Sequence, residues 1–194
     1  MNKRVILASG SANRKRVMDS LNIPYDIIPA DIDEKAIRDE DLAVRAEMIA
    51  RTKAEKVAKD NDGIIIAADS FASNNGEVFE KPATIEEAKQ MLQDESGGQG
   101  RLYAGFCYLD KENNIDFSTT SVVDFTLRTF SKSEIEIYVK KFPVLTWSGA
   151  LFPGEVYCSG MIEKVNGSFT AYIYGLPIDL LIPLLEKSGF TPLP

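Results

Sequence analysis

The sequence predicts an α/β fold, with residues 1–194 as one domain, and three observations carry that prediction. Val5–Ala8 and Gly63–Ala68 are uninterrupted apolar runs of strand length, the pattern of strands buried on both faces. Between them, Leu42, Ala46, Ile49, Ala50 and Val57 fall on one helical stripe. Arg101–Leu109 and Ile115–Leu127 are long strand-like segments on either side of Lys111–Asn114, as in a β-meander arm. No repeat, low-complexity tract or linker divides the 194 residues. That length fits a single domain of roughly 100–200 residues, with the meander arm as an optional lobe.

In chain order, Val5–Ala8 stops at Ser9-Gly10-Ser11, and a basic helix runs from Arg14 to Leu21, closed by Asn22 and Pro24. Tyr25–Ile28 is a short strand, and Asp31-Ile-Asp33-Glu34 is an acidic loop. A long helix covers Asp41 to Lys59. The next strand, Gly63–Ala68, ends at Asp69-Ser70. Asn74-Asn75-Gly76 is a turn signal that makes a hairpin of Phe71–Ser73 and Glu77–Phe79. Thr84-Ile-Glu-Glu87 is a capping box opening a helix through Leu92, and Ser131-Lys-Ser-Glu134 opens another to about Lys141. Glu95–Gly100 reads as a flexible loop. Phe142–Gly160 shows no usable periodicity. Met161–Val165 and Ala171–Tyr174 read as strands around Asn166-Gly167, and Gly175-Leu-Pro177 starts a terminal helix, Ile178–Lys187.

Composition excludes several chemistries. There is no histidine, so Ser-His-Asp and Cys-His catalysis and His-rich zinc sites are ruled out. The work falls to carboxylates, lysines, arginines and a hard metal ion. A net charge of −7, spread along the chain, argues against a nucleic-acid face but not against a small phosphorylated ligand. No apolar stretch approaches the roughly 18 residues of a membrane helix, and the run after Lys3-Arg4 is too short for a signal sequence. The expected address is cytoplasmic. Cys107 and Cys158 sit in apolar, strand-like contexts and read as buried thiols.

Three places carry chemistry that packing does not require. Arg14, Lys15 and Arg16 occupy a first helical turn, where the macrodipole disfavours cations by a few tenths of a kcal/mol or more. A bound phosphate would compensate; the bland alternative is that Ser11 is an ordinary N-cap and the cations are solvated. Lys53 lies on the apolar stripe one turn beyond Ile49, a position that favours snorkelling to solvent over pointing into a cleft. Asp69 stands at the carboxyl end of a central strand, where α/β sheets bind ligands. Together with Ser9, Glu34 and Lys81 these residues suit metal-assisted hydrolysis of a phosphoanhydride. Cations hold the polyphosphate, carboxylates hold Mg²⁺ or Mn²⁺, and one carboxylate deprotonates water.

In order and spacing, these pieces resemble the Maf family of nucleoside triphosphate pyrophosphatases over nearly the whole chain. Leu7-Ala-Ser-Gly-Ser11 with Arg14 resembles the family's A-S-x-S-P-R-R turn, and Asp31-Ile-Asp-Glu34 its acidic motif. Lys53-Ala54 is similar to its helix K-A, Ala68-Asp69-Ser70 to G-A-D-T, and Lys81-Pro82 to G-K-P. Ser96-Gly97 through Gly105 resembles its S-G…T-G segment, and Gly175-Leu-Pro177 its terminal G-L-P. The resemblance implies an inosine-triphosphate-pyrophosphatase-like (Ham1-type) mixed twisted sheet with flanking helices and a nucleotide cleft between two lobes. It also implies a divalent metal and hydrolysis of a nucleoside triphosphate to monophosphate and pyrophosphate. By position, Asp69 would accept the proton, Glu34 would assist metal or water, and Ser9, Ser11, Arg14, Lys53 and Lys81 would hold phosphates. A homodimer is compatible with it.

The departures are specific. Ala12-Asn13 replaces the family's Pro-Arg, Arg16 stands where a glutamate is usual, and Ala104 replaces the threonine before Gly105. The late segment, Leu145-Thr-Trp-Ser-Gly-Ala-Leu-Phe-Pro-Gly-Glu155, looks more like the subgroup carrying C-A-G-x-F…E-G, associated with 7-methyl-GTP rather than dTTP and UTP. In that subgroup Asn13, Ser70 and Glu155 would set specificity. The competing expectation, from the same departures, is a non-catalytic member that binds a nucleotide or a protein partner.

Overall fold

The computed structural model describes residues 3–74 and 76–192. Its strands and helices in chain order begin with β1 (Val5–Leu7), α1 (Ala12–Asp19), β2 (Asp26–Ile27) and α2 (Leu42–Ala58). The middle of the chain forms β3 (Ile64–Asn74), β4 (Glu77–Val78), α3 (Ile85–Glu95), β5 (Gln99–Asp110) and β6 (Ile115–Leu127). The last part forms α4 (Lys132–Lys141), α5 (Val156–Ser159), β7 (Ile162–Asn166), α6 (Phe169–Tyr174) and α7 (Ile178–Lys187). Among the described residues, no helix is long and apolar enough to cross a membrane.

The chain builds two compact units. Unit one takes the residues up to Ser70, Tyr103–Ser121, and those from Thr170 onward; unit two takes Phe71–Leu102 and Val122–Phe169. Strands β3, β5 and β6 contribute residues to both.

In unit one, β1 lies between β2 and β3 and runs parallel to each, with Ile6 opposite Asp26 on one side and Ile65 on the other. The strand order there is β2-β1-β3-β5-β6. Successive side chains of a strand point to opposite faces, and both faces are covered. Val5, Leu7, Ile64 and Ile66 pack with Val17 and Met18 of α1 and Leu181, Leu184 and Leu185 of α7. Ile6, Ala8, Ile65 and Ala67 pack with Ala50, Ala54 and Val57 of α2. That two-sided burial is why the strand sequences are continuously apolar instead of alternating. Helix α2 starts at Asp41, whose carboxylate accepts from the Ala43 and Val44 amides. It lies so close to β5 that a Cβ on Gly105 would fall 1.9 Å from the Ala46 carbonyl oxygen.

In unit two, β4 pairs antiparallel with the second part of β3, Ser73 opposite Val78, as the hairpin reading predicts; Asn75, inside that turn, lies outside the described residues. Thr84 Oγ1 accepts from the Glu87 amide and Ser131 Oγ from the Glu134 amide, capping α3 and α4. The first box closes one residue early, because Glu87 Oε2 accepts from Ala83 instead of Thr84. Strand β7 runs antiparallel to β6, with Phe125 opposite Val165.

Three expectations change. β3 does not stop at Ala68 but continues to Asn74, because its later residues have β4 to pair with, so Asp69 and Ser70 lie inside a strand. The predicted Glu95–Gly100 loop shrinks, since α3 keeps Glu95 and β5 begins at Gln99. Gly100 belongs in the strand because the Phe125 ring fills the place of its Cβ, 2.3 Å away. Ala171–Tyr174 is helical, within α6; a short apolar run does not distinguish strand from helix by periodicity. The segment without periodicity, Phe142–Gly160, folds into 3₁₀ turns at Val144–Thr146 and Ser148–Ala150 and the short α5. It is held by aromatic contacts such as Trp147 with Phe142 and Phe152, which need no period.

Candidate active site

The turn between β1 and α1 is organised by Ser9. Its hydroxyl accepts from the Ser11 amide at 3.2 Å and from Arg14 Nη1 at 3.0 Å. Ser11 occupies the N-cap position of α1, but its side chain makes no capping bond, which leaves the hydroxyl for the cavity it lines. The cations of this turn separate by environment. Lys15 pairs with Asp19 one turn on, and the Arg16 guanidinium lies 5.9 Å over the Tyr174 ring. Arg14 alone turns inward and is buried.

The Arg14 guanidinium joins separate stretches of chain. Nη1 donates to Ser9, Nη2 to Ser70 Oγ at 3.2 Å, and Nε to the Gly175 carbonyl at 3.1 Å. Burial pulls its pKa below the ordinary arginine value, while the charges of Asp69 and Glu34 act the other way. Gly175 was not singled out as a site residue by sequence. Its φ of +65° and the 2.3 Å from its would-be Cβ to Ser70 Oγ show that a side chain has no room there. The legible signal was a glycine immediately before the Leu-Pro that opens the last helix.

Lys53 does not snorkel. It belongs to the buried stripe of α2 with Ile49, Ala50, Ala54 and Val57, and it is only 6% exposed. Its ammonium sits 2.7 Å from Asp69 Oδ1 and 2.7 Å from Glu34 Oε1. A buried cation is tolerated only when paired, and here two carboxylates pair it. Asp69 is held by β3 and is itself buried, whereas Glu34 starts the 3₁₀ turn Glu34–Ala36 and is half exposed. Asp33 caps that turn by accepting from the Lys35 amide, a local structural role.

These side chains surround a cavity of about 290 Å³, lined by Ser9, Gly10, Ser11, Arg14, Glu34, Lys53 and Asp69 with Ala8, Pro29 and Ala30. The remaining predicted residues are placed as follows. Asn13 is half buried on the first turn of α1, and Ser70 is half buried beside Arg14. Lys81 and Glu155 belong to unit two: Lys81 is exposed ahead of the buried Pro82, and Glu155 is half buried at the N-cap of α5 without capping it. Among the described residues, no three or more His, Cys, Asp or Glu side chains gather into a metal cage. Glu34 and Asp69 together still suit a hard ion of the Mg²⁺ type, which takes one or two protein carboxylates and completes its shell with water and phosphate oxygens. The arrangement therefore offers paired carboxylates, two fixed cations and a hydroxyl-lined turn.

A model of the family described as Maf-like protein matches residues 4–188. The dTTP/UTP pyrophosphatase of Treponema denticola is 33% identical over 201 residues, covering 97% of this chain and 98% of that protein. The dTTP/UTP pyrophosphatase of Clostridium novyi is 32% identical over 191 residues, covering 96% and 98%. Among solved structures, the Ham1 protein of Staphylococcus aureus superposes with a TM-score of 0.54 at 17% identity, covering 96% of this chain and all of that one. That likeness gives the fold as the Ham1 type of α/β architecture. With the family match spanning both units and including the turn, the acidic loop, Lys53 and Asp69, the chain belongs to the Maf-like protein family.

Proposed function

We propose that the protein is a nucleoside triphosphate pyrophosphatase, releasing nucleoside monophosphate and pyrophosphate. The observation that carries this reading is the Glu34–Lys53–Asp69 cluster, which lines a cavity whose other wall is the Ser9–Arg14 turn. In this reading Asp69 accepts the proton of the attacking water, and Ser9, Ser11, Arg14 and Lys53 hold phosphate oxygens, with Lys81 of unit two as a further phosphate ligand. Glu34 and Asp69 would hold Mg²⁺ or Mn²⁺, which supplies neutralisation of the phosphate charge. The names of the full-length relatives support the activity and favour dTTP and UTP.

A second reading is 7-methyl-GTP, favoured by Glu155. Its carboxylate is half buried and unused as a cap, and a carboxylate can accept two hydrogen bonds from a guanine edge. Consistent with either substrate, the reading places the protein in the cytoplasm.

The test is pyrophosphate release from dTTP, UTP, CTP, ITP and 7-methyl-GTP with Mg²⁺ or Mn²⁺. Turnover of at least one is expected, and Asp69→Asn is expected to lower kcat by about 10²–10⁴-fold, the range of general-base contributions. Tight nucleotide binding without turnover by the unmodified chain would establish the non-catalytic reading instead.

A further inference from the structure

We propose that Lys53 is a resident counter-cation that closes the Glu34–Asp69 pair to a bare divalent ion. The pair opens to a metal only when a polyphosphate gives the ammonium another partner. This inference rests on the assignment of Glu34 and Asp69 as the metal-holding carboxylates.

The geometry is one of competition for a single position. A small divalent ion shared by the two carboxylates needs to approach each oxygen to about 2.0–2.1 Å. Lys53 Nζ already lies 2.7 Å from Glu34 Oε1 and 2.7 Å from Asp69 Oδ1, so the ammonium fills that space. It cannot leave cheaply. Lys53 is buried, and a buried ammonium without a partner costs several kcal/mol.

Charge and ligand count act in the same direction. Arg14, the other buried cation, is fixed by its bonds to Ser9, Ser70 and Gly175, so it does not relax to make room. The two cations and two carboxylates lining the cavity sum to no net charge, so the lining offers no excess negative charge to an incoming dication. No third acid joins them among the described residues, so a bare ion would find only two carboxylate ligands. A polyphosphate reverses each term. It brings negative charge, offers oxygens to Lys53, and supplies the missing metal ligands. Metal and polyphosphate therefore bind with positive coupling, and the coupling passes through Lys53.

The test uses the whole chain and Mn²⁺ alone, with bound ion measured by electron paramagnetic resonance and folding checked by thermal melting. Lys53→Met is expected to bind bare Mn²⁺ at least about tenfold more tightly than the unmodified chain. Adding Glu34→Gln to that variant should remove the gain. Lys53→Arg, which keeps a cation in place, should bind bare Mn²⁺ as weakly as the unmodified chain. Equal affinity in folded Lys53→Met and the unmodified chain overturns the proposal. If Lys53→Met does not fold, the unmodified chain decides: bare Mn²⁺ bound more tightly than about 0.1 mM overturns the gate, and weaker binding shared by Lys53→Arg supports it. Because none of these readouts uses turnover, a chain that gates Mn²⁺ but hydrolyses nothing refutes the pyrophosphatase reading alone.

Discussion

Gly175 shows how much of the site depends on one missing side chain. Its backbone is in the left-handed region at φ +65°, and a Cβ would meet Ser70 Oγ at 2.3 Å and Arg14 Nη2 at 3.4 Å. Gly175→Ala is expected to cost at least about 1 kcal/mol from the backbone alone, and more from the contact. Because the displaced groups are Ser70 and Arg14, KM for the nucleotide should rise in a variant that still melts cooperatively. Ser70→Ala, added to Gly175→Ala, should recover part of the loss by removing the clashing oxygen; melting curves and KM check both. At this scale the sequence named Arg14, Lys53, Glu34 and Asp69 through their chemical oddity: cations at a helix start, a lysine on an apolar stripe, an aspartate ending an apolar run. It ranked snorkelling above pairing for Lys53, and the structure reverses that order, because the partner carboxylates come from distant stretches of chain.

Helix α3 holds the most exceptional acid outside the site. Glu95 is 6% exposed, and its Oε1 has no hydrogen-bond partner among the described residues. Burial, helped by the neighbouring charge of Asp94, pushes its pKa up to about 8. The buried groups around it offer no cation: Gly149 approaches the carboxylate from the 3₁₀ turn, and Tyr138 from α4 is neutral, its own pKa pushed far up by burial. With the folded pKa above the ordinary value, the folded state binds the proton more tightly. The contribution is complete below about pH 4.5, fades through the interval to about 8, and is absent above. Glu95→Gln should therefore flatten the fall in stability across that window and raise the melting temperature at pH 9, by on the order of a few kcal/mol in stability. Equal pH dependence in the two proteins would remove Glu95 as its source. Nothing in the sequence marked this residue, which reads as the first position of the Glu95–Gly100 loop beyond a helix ending at Leu92. Elements with an internal signal were legible: the capped helices α2, α3 and α4, the buried β1, and α7 with its limits. Those defined by their partners were not, namely the continuation of β3 and the helical α6.

Across the whole molecule, the two thiols fall one in each unit. Cys107 in unit one is buried, with its pKa pushed up to about 12, and Cys158 in unit two is buried and also raised. Thiolate is the reactive form, so neither should react with an aromatic disulfide reagent at pH 8 at the rate of a free thiol. Cys107→Ser and Cys158→Ser variants should then each report the opening of one unit by the labelling rate of the remaining thiol. Rapid labelling of the native chain at either position would contradict the packing described. The division into units was not visible in the sequence for a physical reason. The chain changes unit within the continuous strands β3, β5 and β6 and at the start of α6, where no linker or shift in composition marks the boundary.

That path of the chain has a practical corollary. Unit two is made of two internal excursions, Phe71–Leu102 and Val122–Phe169, while unit one keeps both ends of the described chain. The residues proposed to act on the triphosphate, Ser9, Arg14, Lys53 and Asp69, belong to unit one, and the proposed base reader Glu155 belongs to unit two. Two transplanted cassettes, and not one, are therefore the minimal exchange for building chimeras between relatives; three of the four seams fall inside strands, where backbone pairing can be matched register for register, and the fourth falls at the first residue of α6.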